Sequence, residues 1–331
     1  MSSDAAGSVA PRSLARDRRS PTWLAVAGAV CVGALTALQA HMNGALGREL
    51  ADAFVAAAFS FGSGLVLVLA ISAALPAGRR GLRRLGSGIR ARDIPVWMLA
   101  GGIAGAVTVA TQGLTVALLG VALFTVGLVA GQTIGGLVLD RLGHGPGGAV
   151  AVTMPRVGGA VLALAGVGVA VGGVPAGQVP WWMLVLPVIA GAGIAWQQGT
   201  NGRLRQRVDS ALTATLVNFA GGTAVLVVAA AVHVALVGPP RMPPVQPWIW
   251  LGGATGVLYI FLSAALVRRT GVLLLGLGSV VGLLVTSVVL DLVDPAAAAP
   301  DAARTAVAAA IALGGAVLAA VPWQRRVRRQ L

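Results

Sequence analysis

Ten apolar runs succeed one another along this chain, at about 22–42, 53–75, 95–117, 121–139, 155–174, 181–200, 211–237, 247–267, 271–290 and 304–323. Each is close to the ~20 residues that a helix needs to cross a hydrocarbon core about 30 Å thick. Inside lipid every backbone N–H and C=O must find its partner within the protein, so each run is expected to be a helix. No stretch between the runs is long enough to fold as a soluble domain. Charged residues make up 10% of the chain, against roughly 25% in soluble proteins. The expected fold class is an all-α membrane protein with ten transmembrane helices. The 47 glycines agree with this, because membrane helices use small residues where they touch.

The net charge is +14. It does not read as a nucleic-acid footprint, because the arginines sit between apolar runs and not on a soluble fold with interleaved aromatics. Lysine is absent, a bias that fits genome base composition better than chemistry. Cys31 is the single cysteine and lies inside the first run, so no internal disulfide can form. The basic stretch before that run loosely fits a signal peptide. The run is long enough to span, however, and the motif that ends it recurs deep in the chain, so it is read as an uncleaved helix.

That motif is Gln-x-x-x-Asn-Gly. "GALTALQAHMNGALGREL" (33–50) lies over "GAGIAWQQGTNGRLRQRV" (191–208), pairing Gln39 with Gln197, Asn43 with Asn201 and Leu46 with Leu204. The same offset of 158 pairs Phe61 with Phe219 and Gly64 with Gly222. A second block, at offset 151, lays Trp97–Gly105 over Trp248–Gly256, then Gly120 over Gly271, Gly127 over Gly278, Gly131 over Gly282 and Asp140 over Asp291. The last helices pair only weakly, Arg156 with Arg304. The chain therefore reads as two five-helix halves, 22–174 and 181–323, between basic tails at 1–21 and 324–331.

Five is odd, so two like halves in one chain must lie in the membrane in opposite senses. The positive-inside rule tests this. With the amino terminus inside, 21 of the 24 arginines fall in cytoplasmic segments, leaving only Arg48, Arg241 and Arg304 outside. The charges after the motif follow suit: "NGALGREL" faces out with one arginine, "NGRLRQRV" faces in with three. Inverted repeats of this kind are a transporter architecture.

With these features the chain resembles the drug/metabolite transporter superfamily, and within it the EamA-like, YdcZ-type branch, whose short members are single five-helix halves and whose long members are fusions. The resemblance covers about 22–323. It implies ten helices, both termini cytoplasmic and a central cavity between the halves, and it supplies no substrate. The Trp-Gln-Gln at 196–198 departs from the simpler first copy, so the halves need not touch a substrate equally.

Polar groups in hydrocarbon are costly, and those facing inward are candidates for function. Gln39, Asn43, Gln197 and Asn201 come first, either lining a substrate cavity or tying helix ends to their neighbours; amides both donate and accept. Gln112 and Gln132 in the third and fourth runs, Tyr259 in the eighth and Trp196 beside Gln197 complete the candidate cavity. The remaining tryptophans lie at run ends and read as interfacial belts. Gly127, Gly131 and Gly135, like Gly278 and Gly282, read as close helix contacts, and Pro187 is expected to kink its helix. No Asp, Glu or Arg falls mid-run, which gives proton coupling little support. The expected function is a multi-pass transporter, read as an exporter, moving a small molecule by alternating access in a bacterial-type cytoplasmic membrane. No enzyme, metal or cofactor is expected; the partners are the substrate and the bilayer, with a homodimer left open. A sensor or accessory subunit without transport, and a lipid-moving variant of the same fold, are the alternatives.

Overall fold

The computed structural model describes residues 22–145, 148–149, 152–173, 179–294 and 302–320. The basic tails and Trp323 lie outside the described residues. Within them all regular structure is helical: α1 (Thr22–Leu50), α2 (Ala53–Ala74), α3 (Pro76–Arg90), α4 (Gly101–Leu119), α5 (Val121–Arg141), α6 (Met154–Val171), α7 (Trp181–Val208), α8 (Ala211–Val237), α9 (Gly252–Val293) and α10 (Ala302–Ala320). Short 3-10 turns, Val96–Leu99 and Pro247–Leu251, lead into α4 and α9 at positions 151 apart. Five segments are by themselves long and apolar enough to cross a membrane: α2, α5, α6, α8 and Val96–Leu119. Their outward faces keep large apolar side chains uncovered, such as Val66, Val161 and Val228, as a lipid-facing surface requires.

The helix boundaries repeat as the sequence does. Asp52 caps α2, its carboxylate accepting from the amides of Phe54 and Val55, both at 3.0 Å. Ser210, 158 residues on, caps α8 by accepting from the Thr213 amide at 3.2 Å. Gly120, at φ 84°, ends α4 and lets α5 fold back. There Asp291 accepts from the first two amides of α5, Val121 at 2.7 Å and Ala122 at 2.8 Å, groups that a helix start leaves unpaired.

Two elements differ from the sequence reading. The runs 247–267 and 271–290 form one helical segment, α9, in place of separate helices. Its two arms nevertheless oppose each other along α1. Gly252, Gly256 and Leu266 meet Asn43, Gln39 and Gly28 in that order, whereas Gly278 and Leu283 meet Ala29 and Gly33. A straight helix would separate Leu266 from Gly278 by ~18 Å, so the two arms turn back on each other along α1. The second difference is α3, which the sequence reading leaves as a basic connection. Pro76 starts it. Its arginines gather on one side, and Leu82 and Leu85 on the other pack against the ends of α7 and α8. Arg84 pairs with Asp209 at 2.8 Å.

Glycines set the packing. An added Cβ at Gly33 would overlap the backbone of Ser279 and Leu283; at Gly191 it would overlap that of Leu128 and Gln132, the equivalent residues. Gly131 and Gly282 likewise touch the carbonyls of Val188 and Val30. Each half thus lays its first helix into the other half. Pro187 lies within α7, and the spot a Gly127 side chain would take is beside its ring.

α2 and α8 run antiparallel. The start of α2 meets the end of α8 through Asp52 and His233, 3.0 Å apart, and at the other end Gly81 of α3 sits against Ser210 and Thr213. α6 and α10 are antiparallel too, with Gly159 against Gly315 and Gly166 against Ala308.

Candidate functional site

The centre of the bundle holds a small cavity of about 20 Å³, room for a single water. Its lining comes in equivalent pairs: Thr36 and Ile194, Gln39 and Gln197, Phe61 and Phe219, Thr108 and Tyr259, Val109 and Ile260. Gln112 and Asn218 complete the polar part. No charged side chain is among these lining residues.

Each amide is held by a partner. Gln39 Nε2 donates to the Gly252 carbonyl at 3.1 Å, and Asn43 Nδ2 donates to Gln112 Oε1 at 2.6 Å. In the second half Gln197 Nε2 and Asn201 Nδ2 both donate to Asn218 Oδ1, at 2.7 and 3.0 Å. Glycines make room for these amides. A side chain at Gly252 or Gly256 would strike Asn43 or Gln39; at Gly101 or Gly105 it would strike Asn201 or Gln197. Asn43 Oδ1 and Asn218 Nδ2 stay buried without a partner, a cost of roughly 1–3 kcal/mol each.

The sequence matches the family described as "Putative inner membrane exporter, YdcZ" twice, over residues 24–169 and again over 179–318. The chain belongs to this family. Each half is thus one copy of the YdcZ unit, and the family is one of membrane exporters and not of enzymes. Comparison with curated proteins gives no match. A solved structure, described only as the crystal structure of a protein, superposes with a TM-score of 0.51 at 22% identity, covering 91% of this chain and 97% of the other; that likeness concerns the fold alone.

In this YdcZ chain the candidate residues separate into two groups. Gln39, Gln112, Gln197 and Tyr259 line the cavity. Asn43 and Asn201 stand one helical turn further out and bond to lining residues instead. Trp196 faces away, its ring 6.2 Å from that of His144, and Gln132 is not in the lining either. The sequence reading passes over Asn218, Phe61 and Phe219 as site residues. A signal for them exists: Asn218 is a lone amide inside an apolar run, directly before the repeated phenylalanine.

Polar clusters close both ends of the bundle. At one, His41 stacks on Trp248 with centroids 5.5 Å apart, and the Arg241 amide bonds to the Leu50 carbonyl at 2.9 Å. At the other, the loop after α5 folds over α7. His144 Nε2 lies 3.0 Å from Thr200 Oγ1, Arg203 donates to the carbonyls of Gly143 and His144, and His144 packs 5.1 Å from Trp97. Trp97 and Trp248 are equivalents. Gly199, the equivalent of His41, leaves the space that His144 fills. Burial, with the Arg203 charge adding to it, lowers the His144 pKa below its ordinary value.

Proposed function

We propose that this exporter consists of two inverted five-span halves, 22–174 and 181–323, and carries a small molecule by alternating access through the cavity around Gln39 and Gln197. The observation that carries the reading is the antiparallel pairing of α2 with α8. They are equivalent helices, and equivalent helices pack antiparallel when two halves lie in a membrane upside down with respect to each other. The exchange of first helices supports it too, because each half's Gln-x-x-x-Asn meets the glycine-rich helix start of the other. Arg84, Arg141, Arg156 and Arg203 belong to the end where α3 and the loop after α5 lie, and this favours both termini on the cytoplasmic side.

The amides favour a substrate bound without a protonation change. A solute in the cavity has Gln39 on one side and Gln197 on the other, one from each half, so relative motion of the halves exposes the same groups to either face. In proteoliposomes loaded with a metabolite found by thermal-shift screening, Gln39→Leu and Gln197→Leu are expected to leave insertion and abundance near normal and to abolish flux. Parental flux in both variants would make the amides mere structural ties.

A further inference from the structure

We propose that the cavity selects flat, uncharged ring molecules that carry N–H or O–H donors, stacked between Phe61 and Phe219. This rests on the transport reading above and adds the class of substrate.

The two phenyl rings meet at the seam between the halves, one from each, with centroids 5.0 Å apart and planes tilted by 41°. Both are almost fully buried, at 4% and 2% exposure. Each is seated on glycine from both halves: Phe61 on Gly105 and Gly222, Phe219 on Gly256 and Gly64. A side chain at Gly105, Gly222 or Gly64 would strike a ring, and one at Gly256 would strike the Gln39 amide beside Phe219, so the walls behind the rings are bare backbone. Gly105 also touches the Gln197 amide, and Gly256 the Gln39 amide. Each ring therefore stands beside an amide of the opposite half.

Each glutamine gives one N–H of its amide to a protein acceptor, Gln39 to Gly252 and Gln197 to Asn218. Neither Oε1 is sealed without a partner, and both side chains line the cavity. The two Oε1 atoms offer a ligand a pair of acceptors, which a ligand N–H or O–H satisfies. The phenyl pair joins the halves beside the cavity, so parting of the halves there separates the rings. A third ring inserted there keeps both aromatic faces covered in the stacked or tilted arrangements that such rings prefer. A saturated ring loses that term. A charged group finds no counter-charge among the lining residues and must shed its hydration uncompensated.

The test uses the full chain in nanodiscs and saturation-transfer NMR with four probes: benzamide, cyclohexanecarboxamide, N,N-dimethylbenzamide and benzoate. Benzamide is expected to bind. Flatness is removed in the second probe, the donors in the third and neutrality in the fourth, and each should bind more weakly. Phe61→Leu and Phe219→Leu should each weaken benzamide roughly 2- to 12-fold, the equivalent of an aromatic pair worth about 0.5–1.5 kcal/mol. The probe series on the unaltered chain decides the matter even if a variant misfolds. Equal binding of all four probes, or no benzamide binding, overturns the proposal. If Gln39→Leu abolishes flux of the screened metabolite while benzamide does not bind, the ring class falls and the transport cavity stands; if flux also survives in both glutamine variants, both fall.

Discussion

Glycine positions decide which residues touch. Gly131 has no room for a methyl group, because the Val188 carbonyl of α7 occupies that space; at Gly168 on α6 nothing lies within 4 Å. The same substitution should therefore act in opposite senses. Gly131→Ala is expected to destabilise by about 1–3 kcal/mol through overpacking. Gly168→Ala should stabilise by roughly 0.5–1 kcal/mol, because alanine loses less backbone freedom in a helix. Thermal transitions of the two detergent-solubilised variants check this, and a lower transition for both would mean that α6 packs where the structure leaves it open. At the same scale the repeated amides explain themselves. Gln39 and Gln197 reach the cavity, whereas Asn43 and Asn201 anchor the turn beyond it.

Among the elements, the loop after α5 shows how near-symmetry is broken. At one end of the bundle α1 supplies His41 against Trp248; at the other, Gly199 leaves a gap and His144 arrives from the loop to face Trp97. Burial and Arg203 hold His144 below its ordinary pKa of 6.5, so the folded state prefers it neutral. The unfolded chain then binds the extra proton first, and stability rises with pH across that interval. The contribution is complete above pH 6.5 and is lost as pH falls through the lower folded value. Thermal transitions measured at pH 7.5 and pH 5 should differ less in His144→Gln than in the parent; an identical difference would place the acid sensitivity elsewhere. α3 shows the other route to asymmetry. It adds an amphipathic basic helix after α2 that braces the ends of α7 and α8, and Arg79 donates to the last carbonyls of α2, at 2.8 Å to Ala73.

For the molecule as a whole, the halves interlock by exchanging their first helices, so neither half buries its own glycine seams alone. With the halves inverted, Cys31→Ser protein carrying Met242→Cys is expected to react with an impermeant thiol reagent in intact cells, and Gly86→Cys only after lysis. Labelling of Gly86→Cys in intact cells would overturn the orientation. The sequence by itself determined the helical membrane class, the two halves, the repeated amides and the family, because hydrocarbon thickness and backbone hydrogen bonding leave few choices for twenty apolar residues. It did not determine α3, whose interrupted Arg and Gly pattern becomes amphipathic only once a helix has formed. Nor did it determine that the runs 247–267 and 271–290 belong to one helical segment, because both arms pack on α1 through contacts far apart in the chain, Gly252 with Asn43 and Gly282 with Val30. Above all it left open which amides face the cavity. Asn43 and Gln39 share one helical face in the sequence, and only the closeness of Gly252 and Gln112 in three dimensions makes one an anchor and the other a wall. Phe61 and Phe219 became site residues for the same reason, because a contact between residues some 160 positions apart is set by packing at the seam of the halves, and Asn218 joined them through its bonds to Gln197 and Asn201 on the neighbouring helix.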